Sequence, residues 1–502
     1  MIKYHHQNIL TAATVLSLTF MPSPSMAAID ESGAQNLKII IGNYLEEQKT
    51  IYQASGTMME LIGDMTVTPK GNYYNIILPH IKTTYVGDTV LNIGKIVINA
   101  APGDKAEDWK ISYSLPKDIT ITQANGSVQN ITFANQSAAG IWNTKLNYIT
   151  ALKAHYKDIK ISAPSGDEGI TSLGSIGSIK IEQDLKDSGQ NLWSGPISMN
   201  AETIEFHDEF GKKISLDKAS IGYTINNINP KGYEAIRNHV YEIGKNNTNI
   251  STLDQQPEEL GNLVQTLTKL FEEPMGEMTS DFAINNLKLT ERDKQTEILT
   301  VASANFGLDI DMSNPEQAAF GLRIKASDIV QNIDPSQKNF SPKNIDLDLK
   351  IKNFPMQDIM KNARNELDKN IVVPSTPMIT LLSQAQTTVE NKASLETEAL
   401  SISGKGTILA TLANPLGMNA DQKWEITGLD AFMKEINTQM GDNPFAGQML
   451  GPLVILQMAG QIAPDNPDKR TYHILANENG VTVNGSDISQ FMSGATAAMG
   501  SR

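Results

Sequence analysis

Apolar and polar residues alternate along much of this chain with a period of two, the spacing of a strand that buries one face and wets the other. Between Asn344 and Asn353, Ile345, Leu347, Leu349 and Ile351 alternate with Asp346, Asp348, Lys350 and Lys352. Phe306, Leu308, Ile310 and Met312 alternate in the same way with Gly307, Asp309 and Asp311. One apolar and one polar face predict antiparallel sheet, because strands of a parallel sheet are covered on both sides and read as unbroken apolar runs. Turn chemistry predicts hairpins at Pro69-Lys70-Gly71-Asn72, between Met65–Val67 and Tyr73–Leu78, and at Asn479-Gly480, between Tyr472–Ala476 and Val481–Val483.

Helical stripes interrupt the strands. Leu37, Ile40, Ile41, Tyr44 and Leu45 form the first, and Tyr233, Ile236, Val240 and Ile243, stopped by Gly244, the second. Leu260, Leu263, Val264, Leu267, Leu270 and Phe271, stopped by Pro274, form a third; Met356, Ile359, Met360, Ala363 and Leu367 a fourth; Leu429, Phe432, Met433, Ile436 and Met440 a fifth. A strand phrase also recurs: Ile214–Ile225 lies over Leu299–Ile310 without gaps, and Gly94–Ile98 and Gly177–Ile181 keep its small-x-apolar-x-apolar core. These patterns predict an α+β fold dominated by extended, twisted antiparallel sheet, with repeated strand units and amphipathic helices packed on one face. The expected division is a signal at 1–27, a β-rich region with a leading helix at 28–228, a helical segment at 229–277, a second β-rich region at 278–353, a helical segment at 354–393 and an α+β region at 394–502.

Composition narrows the chemistry. The chain has 502 residues and no cysteine, which excludes a thiol nucleophile, a thiolate zinc site, an iron–sulfur cluster, a disulfide framework and a lipid-modified cysteine anchor. The 41 Lys and Arg against 56 Asp and Glu give a net charge of -15, which repels nucleic acid and anionic membrane surfaces while leaving local basic patches open. Residues 1–27 carry Lys3, an apolar run from Ile9 to Met21, and Ser25 and Ala27 as small residues at -3 and -1, so cleavage after Ala27 and export are expected, with no transmembrane anchor left behind.

No charged residue lies between Asp442 and Asp465. Gln448, Gln457, Gln461 and Pro452 oppose a membrane span, since each amide would need a partner in hydrocarbon and the proline breaks the helical ladder. A buried or groove-lining helix is expected instead, with Phe445, Met449, Leu453 and Leu456 as candidate ligand-binding residues.

Catalytic motifs fail one by one. Glu202, Glu205, His207, Asp208 and Glu209 form the densest acidic cluster, and Glu202, Glu205 and Asp208 are the candidate acids of a hydrolase; an acidic sheet edge that discourages edge pairing accounts for the same residues. Asp309-x-Asp311-x-Ser313 begins like a calcium loop but meets Pro315 where glycine is required and Phe320 at the closing position. Ser215-Leu-Asp-Lys218 has no Lys-Thr-Gly partner, and Gly404-Lys405-Gly406-Thr407 resembles a phosphate loop in composition alone. No metal, cofactor or catalytic residue is assigned.

Tyr73–Pro79, the recurring strand phrase and the closing Asn479-Gly-Val-Thr-Val-Asn-Gly485 resemble uncharacterised Gram-negative exported envelope proteins of the YdgA-like and AsmA-like β-rich families. That resemblance implies extended repetitive sheet and a role in envelope or lipid homeostasis. The expected function is that of a non-enzymatic periplasmic protein holding a lipid, another apolar ligand or an envelope protein partner along a β-sheet groove, without cofactor. A hydrolase of an envelope polymer and a structural interaction protein with a filled core are the alternatives.

Overall fold

A computed structural model describes residues 29–488 apart from 147, 166–168, 208–211, 247–256, 272–273, 292–295, 333–338, 368–375 and 440–443. Ala27 lies outside the described residues. Strands account for 58% of the structure and helices for 22%, so the expected dominance of antiparallel sheet is present and the chain is mainly β rather than α+β. Single strands run to 18 residues, and they absorb most of the sequence that the helical stripes leave over. Every strand pairing defined among the described residues is antiparallel. The chain divides into two units, one formed by residues up to 207 with 220–266, the other by 208–219 with 267 onward.

The first unit opens with helix α1 (Glu31–Ala54). Asp30 caps it by accepting from the Gly33 amide at 2.7 Å, which satisfies one of the free first-turn donors. Gly33 is required for packing: a β-carbon there would lie 2.0 Å from the Tyr74 hydroxyl. Four residues of the predicted stripe, Leu37, Ile41, Tyr44 and Leu45, are buried, and α1 packs on β1 (Met58–Ile62) and β2 (Thr66–Lys70). The sheet continues through β3 (Tyr73–Thr84) and β4 (Val90–Pro102). Two ranks of short strands follow, β5 (Asp108–Ser114) beside β6 (Asp118–Thr122), then β8 (Asn135–Asn143) beside β7 (Val128–Thr132). The second rank pairs with β9 (Tyr148–Ser165), which pairs with β10 (Gly169–Asp184); β12 (Leu192–His207) pairs with β10 and with β11 (Lys186–Gly189). The β2–β3 hairpin turns on Gly71-Asn72, with Lys70 opposite Tyr73 and Gly71 at φ +67°, where glycine carries no steric penalty.

Helix α2 (Pro230–Lys245) corrects the reading of Gly244 as a stop. The helix runs past it, and a β-carbon at Gly244 would stand 2.0 Å from the Thr50 carbonyl oxygen of α1, so the missing side chain lets the two helices touch. Ala54 and Ile243 are fully buried at this contact, with Val240 and Leu263 against them.

The second unit is a meander. β14 (Glu277–Glu291), β15 (Glu297–Asp311), β16 (Ala318–Gln331), β17 (Asn344–Phe354), β18 (Thr388–Glu396), β19 (Ser401–Ala410) and β20 (Met418–Thr427) pair in chain order, and β20 pairs with β22 (Asn466–Asn477). β21 (Gln461–Ala463), β23 (Gly480–Val483) and β24 (Ser486–Asp487) finish that end. β13 (Lys212–Ile228) and α3 (Pro257–Leu270) each cross a unit boundary in sequence. The last predicted hairpin forms one residue earlier than expected, with Asn477 opposite Gly480, which puts Gly480 in β23. Helices α4 (Met356–Leu367), α5 (Met378–Gln384), α6 (Leu429–Gln439) and α7 (Pro444–Ala459) lie between the strands. Leu429, Phe432, Met433 and Ile436 of α6 form a buried cluster with Leu400, Ile426, Tyr472 and Val483, as the fifth stripe predicts; Met440 lies outside the described residues. The four copies of the strand phrase fall within β4, β10, β13 and β15, all long strands.

Candidate functional site

Register decides which apolar side chains of the meander meet. Phe282 of β14 stands opposite Phe306 of β15, Phe306 opposite Ile324 of β16, and Ile324 opposite Leu347 of β17. The row continues through Ala393, Gly404 and Trp424 to Tyr472. Leu308, Leu322 and Leu349 make a second apolar row, and Ile310, Phe320 and Ile351 a third. Side chains two apart on a strand share a face, so these rows form one apolar surface.

That surface is covered at one end and half uncovered at the other. Trp424, Ile402 and Ile474 pack against the buried cluster beneath α6, where the Trp424 ring lies so close over Gly404 that a β-carbon there would be 2.2 Å from it. Along β14 to β17 the apolar side chains are only half-buried, and Phe282 and Phe306 stay 38% and 44% exposed. Two neighbouring aromatic rings in water forgo burial at roughly 25 cal/mol per Å², so an apolar ligand laid along these rows would gain what the fold has left ungained.

Helix α7 carries the four residues expected from the uncharged stretch. Leu450 and Leu453 pack against the buried cluster, whereas Leu456 lies at the rim, and Val454, Ile455 and Met458 face outward, Met458 at 77% exposure. Phe445 and Met449 sit in the first half of the helix, where the side chains fall outside the described ones. The end of the helix is fastened by polar groups: the Tyr472 hydroxyl donates to the Leu456 carbonyl at 2.9 Å and the Asn484 amide to the Ala459 carbonyl at 3.0 Å. Burial raises the Tyr472 phenol above its ordinary range. Gln457 donates to Asp430 at 2.8 Å, and Arg470 clasps the same carboxylate with both oxygens at 3.0 Å. These bonds, the amide of Gln457 before the guanidinium of Arg470, hold Asp430 below the usual carboxylate range. Among the described residues no helix is long and apolar enough to cross a membrane.

The acidic cluster is described only in part. Glu202 is engaged by Lys180 at 3.7 Å and by the Ser178 hydroxyl at 3.2 Å, and Asp208 and Glu209 lie outside the described residues. Among the described residues no three His, Asp or Glu side chains stand close enough to hold a metal ion. Asp309 faces Arg323 at 3.0 Å, and Asp311 accepts from Ser313, so the calcium-like spacing is occupied by local bonds.

Sequence reasoning identified the strands that carry the half-open face but passed over Phe282 and Phe306 as site residues. Their signal was present: an aromatic residue at an apolar position in each of two alternating strands. No protein-family model, curated protein or solved structure matches the chain.

Proposed function

We propose that this is an exported, non-enzymatic protein that holds a lipid acyl chain or a comparable apolar ligand along the face lined by Phe282, Phe306, Ile324 and Leu347. The half-burial of these side chains on a continuous apolar face carries the reading. An aliphatic lining edged by two rings suits a flexible hydrocarbon. Export rests on the leader at residues 1–27, and periplasmic residence follows from cleavage after Ala27.

Lipids extracted from protein purified without detergent and identified by mass spectrometry test the reading. A stoichiometric acyl lipid, lost from a Phe306→Asp variant that keeps its circular dichroism spectrum, is expected. A lipid-free native protein that binds no fluorescent fatty acid would overturn it. Alanine replacement of Glu202 and Glu205 should leave binding unchanged; loss of a polymer-cleaving activity in that variant would instead establish the hydrolase.

A further inference from the structure

The opposite, polar face of the meander holds a charge pattern that the strand register alone creates. Lys392 on β18 stands directly opposite Lys405 on β19, Lys405 opposite Lys423 on β20, and Lys423 opposite His473 on β22. Like charges directly opposite one another destabilise a sheet. Elsewhere on this face the charges alternate in sign or pair: Lys352 with Glu390 at 2.7 Å, Lys350 with Asp348 at 3.6 Å, His473 with Asp421 at 2.9 Å and Lys469 with Glu425 at 2.8 Å.

Three carboxylates lie beside the lysine row, and Asp348 stands directly opposite Lys392 in the register. Asp348 is paired with Lys350, Glu390 with Lys352, and Asp421 is hydrogen-bonded to the His473 ring, while among the described residues no hydrogen bond or ion pair reaches Lys392, Lys405 or Lys423. The three lysines and the flanking carboxylates line one open trough of about 400 Å³, floored at its centre by Gly406 and Thr407. Four lysines, Lys350 and the three of the row, face three carboxylates in this trough, an excess of positive charge in a chain whose net charge is -15.

We infer that this trough binds a compact, multivalent phosphoryl oxyanion laid across β18, β19 and β20. Neighbouring strands are about 4.8 Å apart, so the lysine α-carbons span roughly 10 Å, within reach of three phosphoryl groups in a row once the flexible stems converge. Each ammonium presents three donors, and lysine binds phosphate as a point charge without demanding a fixed orientation. A long nucleic acid is disfavoured, because the net charge repels it and Trp424, next to Lys423 in the chain, belongs to the opposite face. The site is separate from the apolar face, on the other side of the same strands, and does not depend on the lipid reading.

Calorimetric titration of the full chain with inorganic tripolyphosphate at low ionic strength tests the proposal. Saturable one-to-one binding is expected, with orthophosphate at least about tenfold weaker because it meets fewer of the three charges. The Lys392→Gln/Lys405→Gln/Lys423→Gln variant should lose binding and, freed of its repulsion, melt no lower than the parent without ligand; Lys405→Arg should keep binding. On the unmodified protein, tripolyphosphate should protect Lys392, Lys405 and Lys423 from an amine-reactive label while Lys110 and Lys186, which lie outside the trough, label as before. Phosphatidylcholine vesicles doped with phosphatidic acid separate the sources: capture that needs Lys405 assigns the phosphate to a lipid headgroup, and tripolyphosphate binding without vesicle capture assigns it to a soluble compound. Absence of saturable tripolyphosphate binding, or equal binding by the folded triple variant, would overturn the proposal.

Discussion

The strands β1 to β9 under α1 and the strands β14 to β17 of the meander use the same alternating pattern, yet they treat their apolar faces differently. In the first region the face is closed. Tyr74, Ile76, Leu78, Ile96, Ile98 and Ile111 are buried among α1 and neighbouring strands, and Leu78 is 0% exposed. In the second, Ile324, Leu347, Leu349 and Ile351 occupy equivalent positions but remain half-buried, and Phe282 and Phe306 are exposed. A period of two states only that one face is apolar; what covers that face is set by elements far away in sequence. The 24-residue helix α1 supplies such a cover. A protein that only needed stability would close both faces, so the uncovered one is the better place to look for a ligand.

Several measurements can break or sharpen this contrast. The largest effect belongs to Leu78→Ala, expected to cost about 2–5 kcal/mol because a fully buried side chain leaves a cavity. Leu347→Ala should cost less than about 2 kcal/mol, since half of its transfer energy is never gained. Urea unfolding followed through Trp109 and Trp142 in the first unit and Trp424 in the second reads the two separately, and equal midpoint shifts would erase the contrast.

Gly244→Ala comes next. Its new β-carbon would be 2.0 Å from the Thr50 carbonyl oxygen, so α1 and α2 must separate, at about 1–3 kcal/mol. A variant with an unchanged melting temperature would show that the helix contact does not hold the closed region together.

Alkaline titration offers a third comparison. Burial pushes the phenols of Tyr52, Tyr113 and Tyr156 up, and Tyr85 up to about 12. Because the folded state keeps these protons while the unfolded chain releases them near pH 10, stability present below pH 10 is lost as pH rises toward the folded values. Phenolate absorbance should therefore lag behind that of free tyrosine and appear together with loss of the closed region's circular dichroism.

The smallest expected effect is at Asp430. Its depressed pKa contributes stability that is present above the ordinary carboxylate value of 3.8 and lost as pH falls through the lower folded value. The group is exposed, so Asp430→Asn should cost less than about 1 kcal/mol at neutral pH, with the difference from the parent shrinking in acid melts.

Much of this fold was legible in the sequence. The alternation at Asn344 to Asn353 and the stripe at Leu37 to Leu45 each became the expected element. Proportion was harder to read, because long strands carry little signal beyond their local period. Side-chain parity is also interrupted at backbone irregularities such as Thr203 opposite Gly177 and Asn286 in β14, where φ is positive at +56° and +53° and one cross-strand pair is skipped while the register on either side stays the same. The candidate sites were less legible still. Gly404-Lys405-Gly406-Thr407 reads by composition as a loop but lies in a central strand, and only the register of β18, β19 and β20 brings Lys392, Lys405 and Lys423 together. The half-open face was visible as alternation, whereas its lack of a cover was not.

The absence of cysteine makes the central claim directly measurable, since any introduced thiol is the sole one in the chain. Single-cysteine variants Phe306→Cys and Leu78→Cys, each treated with a maleimide under native conditions, compare the two faces at one atom each. The half-open face predicts rapid labelling at position 306 that slows when a long-chain fatty acid is added, with position 78 unreactive until the protein unfolds. Equal protection of both thiols, or labelling at 306 that the fatty acid leaves unchanged, would contradict it.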